Sequence, residues 1–175
     1  MGSGQSTNPN GHTVGVKAMS YFNLKKFLKD PSWYEVARYE KFYKENCQTL
    51  RSDYVLDTKN GSVNVDNFCG HEKVDTCVIK KKSLESRGGD LLITPNGEDW
   101  GEFNILWSDY KNITFVAGKD YTSIWVLSRE NVETDEHREC ICECLDKLIV
   151  LCGKNNIHKS KLVWNNGEHL HDVHQ

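Results

Sequence analysis

The stretch Pro31-Ser-Trp-Tyr-Glu-Val-Ala-Arg-Tyr39 decides the fold of this chain. Its bulky and polar residues alternate, and its β-branched and aromatic side chains favour an extended backbone, so it predicts a strand. Asp30-Pro31 at its start is typical of a turn. From Thr49 to Arg129 short β-rich segments follow, separated by Gly, Asn, Asp and Pro. This pattern predicts an antiparallel sheet that closes on itself.

The same pattern predicts seven further strands after residues 31–39. They span residues 49–57, 62–69, 76–82, 90–94, 102–109, 113–118 and 122–129. Lys59-Asn60-Gly61 and Pro95-Asn96-Gly97 are hairpin signals between them. Eight antiparallel strands close into a barrel that can hold one small ligand. The predicted fold class is therefore all-β, an eight-stranded antiparallel up-and-down barrel.

Two helices accompany the predicted barrel. Residues 21–29 have apolar spacing that suits one or two helical turns, and Pro31 ends them. A longer helix begins after the Thr134-Asp135 cap and ends at Gly153, and we expect its apolar face to pack on the outside of the barrel. That face contains Ile141, Leu145, Leu148, Ile149 and Cys152.

The polarity of the two ends of the chain predicts three regions. Residues 1–17 contain little to bury and predict a flexible arm. Residues 18–166 contain the barrel, its helix and a last short strand at 161–164. Residues 167–175 form a polar tail that contains histidines.

Composition narrows the class of protein and its compartment. The net charge of −3 over 175 residues gives no field that would attract nucleic acid, so we expect no nucleic-acid partner. The N-terminus lacks the basic and apolar regions of a signal peptide. Seven cysteines, an odd number, favour a reducing compartment. We therefore expect a cytoplasmic protein, with a secreted mature form as the alternative.

The first residues, Met-Gly-Ser-Gly-Gln-Ser, fit the N-myristoylation pattern, with Gly2 as the acylated residue. A lipid there would add a peripheral membrane contact. The alternative is that Met-Gly-Ser is an expression remnant.

Three separated motifs resemble the lipocalin family. They are Trp33-Tyr-Glu-Val-Ala-Arg38, Ser108-Asp109-Tyr110 and Trp125-Val-Leu-Ser-Arg129. The resemblance extends from about Ser20 to Trp164, and it is nearest to the group that includes apolipoprotein D, the bacterial outer-membrane lipocalin and the insect bilin-binding proteins. It implies that Arg129 lies across Trp33 and closes one end of the barrel, where a cation over an indole face is favourable.

The chain departs from this family at its cysteines. Cys47 stands where the insect members have a cysteine bridged to the C-terminal tail, but the tail has none here. The second bridge of those members lacks both cysteines. The departures again favour a reducing compartment.

No local signature of a catalytic site is present. Cys69 is the only candidate nucleophile, since one lipocalin subgroup acts as a thiol-dependent isomerase. More simply, Cys69 is a small buried side chain or is paired with Cys77 across a hairpin. The helix cysteines point in different directions, and the tail histidines are typical of a solvated tail, so we predict no catalytic or metal-ligating residue. The helix cysteines in question are Cys140, Cys142 and Cys144, and the tail histidines are His169, His171 and His174.

Strand alternation, with the register taken from the resemblance, predicts which side chains face the cavity. They are Val65, Asn67, Cys69, Phe103, Ile105, Trp107, Val116, Tyr121, Ser123 and Trp125. The mixture is apolar and aromatic with a few hydrogen-bonding groups, which suits a hydrophobic ligand with one polar end. We expect the cavity residues nearest Trp33 to be packed together without space for a ligand.

The segment 40–47 contains an aromatic pair, Phe42 and Tyr43. An exposed pair on a loop predicts either packing at the rim of the barrel or an entrance for ligand or membrane.

The predicted function is to bind, transport or sequester a small hydrophobic molecule, namely a fatty acid, lysophospholipid, sterol or tetrapyrrole. We expect that no cofactor is required, and a tetrapyrrole is among the expected hydrophobic ligands. The alternatives are a lipocalin-type enzyme, an isomerase or de-epoxidase, and a module that binds protein through its loop rim. The expected state is a monomer or dimer.

Overall fold

A computed structural model of the chain describes residues 6–7, 13–131 and 134–170. Near the start, Ser6–Thr7 pairs antiparallel with Thr13–Val14. Gly2, His171 and His174 lie outside the described residues. Among the helices that are described, none is both long enough and apolar enough to cross a membrane.

Eight strands form a closed antiparallel barrel, as predicted. They are β1 (Ser32–Tyr39), β2 (Leu50–Leu56), β3 (Val63–Cys69), β4 (Glu72–Lys81), β5 (Asp90–Thr94), β6 (Gly101–Ser108), β7 (Ile113–Ala117) and β8 (Ile124–Ser128). Each strand pairs with the next, and β8 pairs with β1 to close the barrel. A short strand, β9 (Leu162–Trp164), pairs with residues 37–39 of β1. The strands alternate in direction, so every second loop lies at the same end.

Helix α1 (Leu24–Leu28) covers the end of the barrel where β1 begins, which we call the closed end. The Asn23 side chain caps it by accepting a hydrogen bond from the Lys26 N–H at 3.0 Å. Phe27 is buried, and its ring stacks on Trp33 with 5.1 Å between centroids. The opposite, open end consists of the loops 40–49, 70–71, 95–100 and 118–123.

Helix α2 (Asp135–Cys152) packs on the outside of the barrel, as predicted. Thr134 caps its first turn by accepting from the His137 N–H at 3.3 Å, and it ends at Gly153, whose φ of 102° favours glycine. Its buried face joins side chains on the outer face of the sheet in one cluster. A second cluster fills the inside of the barrel. The core therefore has two parts, and the inner part lies around the cavity described below.

Candidate functional site

The closed end is sealed by Arg129 and Trp33. Trp33 is fully buried, and the Arg129 guanidinium carbon lies 3.6 Å from the centre of its ring. The same guanidinium donates hydrogen bonds to the carbonyl oxygens of Phe27 at 3.1 Å, Ser32 at 2.9 Å and Tyr110 at 3.0 Å. One cation therefore joins α1, β1 and the loop between β6 and β7.

An interior cavity of about 170 Å³ lies above this seal. Its lining consists of Glu35, Ser52, Tyr54, Val65, Asn67, Cys77, Ile93, Phe103, Val116, Trp125 and Leu127. The apolar members come mainly from β5 to β8, whereas the polar ones come from β1 to β4. The cavity therefore has one apolar wall and one wall that can form hydrogen bonds.

We call Glu35, Ser52, Tyr54, Asn67 and Cys77 the polar strip. The Ser52 hydroxyl donates to the Asn67 side-chain oxygen at 2.5 Å, and the Asn67 amide donates to Asp75 at 2.6 Å and to the Cys77 sulfur at 3.6 Å. Burial raises the pKa of Tyr54 and of the Cys77 thiol. At neutral pH both groups are therefore protonated and can donate a hydrogen bond.

Glu35 contributes the carboxyl group of the strip. Its Oε1 lies 3.3 Å from Nη2 of Arg38, but this oxygen is buried and makes no hydrogen bond of good geometry with the described residues. Burial raises the pKa of Glu35, and the nearby charges of Arg38 and Lys44 oppose this rise only in part. The cavity thus contains a carboxyl group with acceptor capacity to spare.

Phe42 lies at the open end of the barrel, beside a residue that lines the cavity. Its ring lies 6.3 Å from that of Trp125, and its carbonyl oxygen accepts a hydrogen bond from Arg38 at 3.4 Å. Phe42 nevertheless keeps 39% of its surface exposed. The side chain therefore packs on the rim of the barrel, and its role as an entrance stays a prediction.

The structure brings five of the ten predicted cavity residues together around the cavity. These are Val65, Asn67, Phe103, Val116 and Trp125. Ile105 also lies inside the barrel, but it is fully buried in the inner cluster and does not line the cavity. The other four lie elsewhere, and each has a structural reason.

Cys69 does not face the cavity as an inner-wall residue, because it is bonded to Cys47 with 5.8 Å between the Cα atoms. The prediction that it is a free thiol or pairs with Cys77 is wrong. The disulfide joins the open-end loop 40–49 to the end of β3. Cys77 is the free thiol that lines the cavity.

Trp107 is turned to the outside by a bulge in β6. The pairing with β7 shifts by one residue between Ile105 and Trp107, and such a shift reverses the face of every later side chain. Trp107 therefore packs beside the outer cluster, with its ring 6.2 Å from that of Phe115.

Tyr121 and Ser123 lie in the turn before β8 and not on the inner wall. Tyr121 is buried in the outer cluster, and its hydroxyl accepts a hydrogen bond from the Lys17 N–H at 2.8 Å. Ser123 packs against Gly118, where a side chain would collide with its hydroxyl. The predicted strand begins at residue 122, but β8 begins at Ile124. Tyr121 and Ser123 therefore precede the strand, and the alternation of inward and outward side chains does not extend to them.

Six residues that line the cavity are not among the residues predicted from the sequence. They are Glu35, Ser52, Tyr54, Cys77, Ile93 and Leu127. Glu35 and Leu127 stand two residues after Trp33 and Trp125, so the alternation contained the signal for both. The remaining four lie on β2, β4 and β5, and the predicted cavity residues include none from these strands.

No group of three or more His, Cys, Asp or Glu side chains within the described ranges is arranged to hold a metal ion. The cysteines of α2 face different directions, since Cys140 is exposed and Cys142 is buried.

Comparison with known proteins identifies relatives along most of the chain. A family model described as a lipocalin-like domain matches residues 23–147. The outer membrane lipoprotein Blc of Citrobacter freundii is 24% identical over 157 residues, which cover 86% of this chain and 82% of the relative. The protein of the same name from Escherichia coli K12 is 22% identical over 158 residues, with the same coverage.

Solved structures share the fold. Insecticyanin from the tobacco hornworm Manduca sexta superposes with a TM-score of 0.60 at 22% identity, over 86% of this chain and 83% of that one. Lobster apocrustacyanin A1 superposes with a TM-score of 0.55 at 16% identity, over 86% and 89% of the two chains.

The predicted cytoplasmic location is contradicted by these relatives. Both bacterial proteins are named outer membrane lipoproteins, which places them outside the cytoplasm. The disulfide between Cys47 and Cys69 is also of a kind that oxidising compartments maintain. An odd number of cysteines is compatible with a disulfide here, because two of the seven form a bridge and five are free.

Proposed function

Because this chain belongs to the lipocalin family, we propose that it binds one small hydrophobic molecule in the interior cavity and carries or sequesters it. The observation that carries the proposal is the cavity inside the barrel, whose apolar wall faces the polar strip. A preformed apolar site with a few convergent polar groups is typical of small-molecule binding.

The polar strip favours a ligand that donates a hydrogen bond. Glu35 accepts hydrogen bonds, and its Oε1 lacks a well-formed one among the described residues. A hydroxyl or amine on the ligand would satisfy this oxygen, whereas an anionic group would meet a second carboxyl in a poorly solvated space. We therefore propose that an anionic head, as in a fatty acid, stays at the mouth near Lys41 and Lys44.

The volume limits the part of the ligand that enters. About 170 Å³ is below the roughly 300–1,000 Å³ of pockets for larger organic ligands. A flexible acyl chain or a small ring system fits this space, so we favour these ligands. A sterol or tetrapyrrole requires Phe42 to move away from Trp125.

Binding is favoured over catalysis by the state of the cavity thiol. The thiolate is the reactive form of cysteine, and burial raises the pKa of Cys77 and so reduces the thiolate fraction. The side-chain partner of its sulfur is Asn67, which is not a general base. These observations support a carrier over a thiol-dependent isomerase.

Titration with naphthol, followed by tryptophan emission, tests the proposal. We expect one-site binding, with affinity roughly tenfold or more above that of naphthoate, whose charge would face Glu35. Trp125→Phe should remove most of the emission change, and Trp107→Phe, on the outer face, should retain it. The proposal fails if no naphthalene or acyl-chain probe binds.

A pair of substitutions on β5 separates binding from folding. Ile93 lines the cavity, so Ile93→Lys should abolish naphthol binding by placing an unpaired charge in it. Leu92 belongs to neither apolar cluster and alternates with Ile93, so Leu92→Lys should bind as the wild type does. Circular dichroism checks that both variants are folded. Equal binding by both would reject the cavity as the site.

A further inference from the structure

An open groove of about 640 Å³ lies outside the barrel, at its closed end. Its floor is apolar and is formed by Tyr21, Phe22, Leu24, Leu28 and Leu56, between α1 and the end of β2. Lys25, Lys81 and Arg87 stand around it. The groove is separate from the interior cavity, because the two have no lining residue in common.

Apolar side chains beside the groove project into solvent. Leu84, in the loop between β4 and β5, is 98% exposed, and Tyr21 is 63% exposed. Val55 and Leu56 at the end of β2 are also exposed. A single exposed leucine is ordinary, but several around an apolar groove mark an interaction surface.

The charge of the molecule is distributed unequally between its ends. The segments that cover the closed end, 24–30, 57–62, 82–89 and 109–112, contain seven Lys or Arg against four Asp or Glu, a net +3. The open-end loops contain three against five, a net −2, and the whole chain has −3. Within the part of the chain that the structure describes, Lys25, Lys81 and Arg87 enter no ion pair. The positive end is thus open to an anionic partner.

We propose that the closed end of the barrel docks on an anionic phospholipid bilayer. Leu84 and Tyr21 enter the interfacial region, and Lys25, Lys81 and Arg87 bind lipid phosphates. Each cation near an anionic membrane raises the partition coefficient about fivefold, and buried apolar area adds to this. A nucleic acid would use the same cations but would gain nothing from the exposed leucine. In this orientation the open end and its mouth face away from the membrane.

Flotation with large vesicles tests the proposal on the full chain. Vesicles of phosphatidylcholine mixed with phosphatidylglycerol should bind the protein, and those of phosphatidylcholine alone should bind it far more weakly. Raised salt should release it, since the attraction is screened. Equal binding to both vesicles, or none to the anionic ones at low salt, would overturn the proposal. So would binding to duplex DNA in place of vesicles.

Matched variants locate the surface. The double substitution Lys81→Glu with Arg87→Glu should lower the partition coefficient about tenfold or more, and Leu84→Gln should lower it about threefold to tenfold. Lys41→Glu with Lys44→Glu makes the same charge change at the open end and should change it less than about twofold. Equal losses in the two double variants would overturn the assignment.

Naphthol binding, measured in parallel, should be unchanged in the Lys81/Arg87 and Leu84 variants. A failure of the membrane proposal is therefore distinct from a failure of the carrier proposal.

Discussion

At the scale of single residues, Arg129 joins separate segments of the chain at the closed end. Its guanidinium lies on the face of Trp33 and donates to carbonyl oxygens of three separate segments. Those carbonyls are partly buried, so they need the donor that Arg129 supplies. The rigid fork of arginine suits this geometry, and the single ammonium of lysine does not.

Substitutions at the closed end should separate packing from hydrogen bonding. We expect Trp33→Ala to lower the free energy of unfolding by about 3 to 5 kcal/mol, because it leaves a large cavity. Arg129→Lys keeps the charge but loses most of the carbonyl bonds, so it should cost about 1 to 3 kcal/mol. Urea denaturation measures both effects. An unchanged midpoint in both variants would remove the role of this pair in closing the barrel.

Glu35 should make stability depend on pH. Because its pKa is raised in the fold, the folded state binds this proton more readily than the unfolded chain does. The contribution is therefore fully present at low pH and is lost as the pH rises from the ordinary carboxyl range through the raised pKa. Glu35→Gln lacks this titration, so the stability of the wild type minus that of the variant should fall as the pH rises from about 4 through the raised pKa.

Urea denaturation across a pH series measures this difference. Glu45→Gln removes the same charge from an exposed loop and controls for the change in net charge. A wild-type advantage that grows with rising pH would mean that attraction to Arg38 outweighs burial, and the assignment would be wrong.

At the scale of elements, the open-end loop 40–49 is the segment that connects stability with access to the cavity. Cys47 attaches it to the end of β3, and Phe42 in the same loop covers Trp125. Arg38 at the end of β1 holds the Phe42 carbonyl from below. Both the disulfide and the ion-paired Arg38 therefore hold the loop that contains Phe42 in place.

Removing the disulfide should destabilise the fold and speed ligand exchange. The bridge spans 22 residues, and a loop of this size contributes about 3 kcal/mol by restricting the unfolded chain. Cys47→Ser with Cys69→Ser should lose about this much in urea denaturation, and naphthol should dissociate faster. Cys140→Ser replaces an exposed, free thiol and should change neither. A double variant as stable as the wild type would show that the bridge has no structural role.

At the scale of the whole molecule, the two ends of the barrel differ in chemistry. The segments at the closed end have a net positive charge and an open apolar groove lies there, whereas the open-end loops have a net negative charge and the cavity lies inside the barrel. Helix α2 covers one side of the barrel and buries a separate apolar cluster there. A ligand site and a docking surface at opposite ends can act independently, since the sealed layer of Trp33 and Arg129 lies between them.

The sequence by itself determined the elements and their order. Alternation of side chains, turn residues and helix caps are local signals, so eight strands and two helices were found within a few residues of their actual bounds. The Asp90–Thr94 strand was predicted to the residue. The pairing of Arg129 with Trp33 was implied by the family motifs, which identify residues that meet in space although they lie far apart in the chain.

Tertiary structure decided which of the predicted residues line the cavity and which residues join them there. The bulge in β6 turns Trp107 outward, and no local pattern announces a bulge, because it arises from the pairing of two strands. The Cys47–Cys69 bridge depends on a loop that returns to the end of a neighbouring strand, which sequence spacing does not specify. The polar strip assembles from β1 to β4, so its acceptor, Glu35, acquires its buried environment only when the barrel closes.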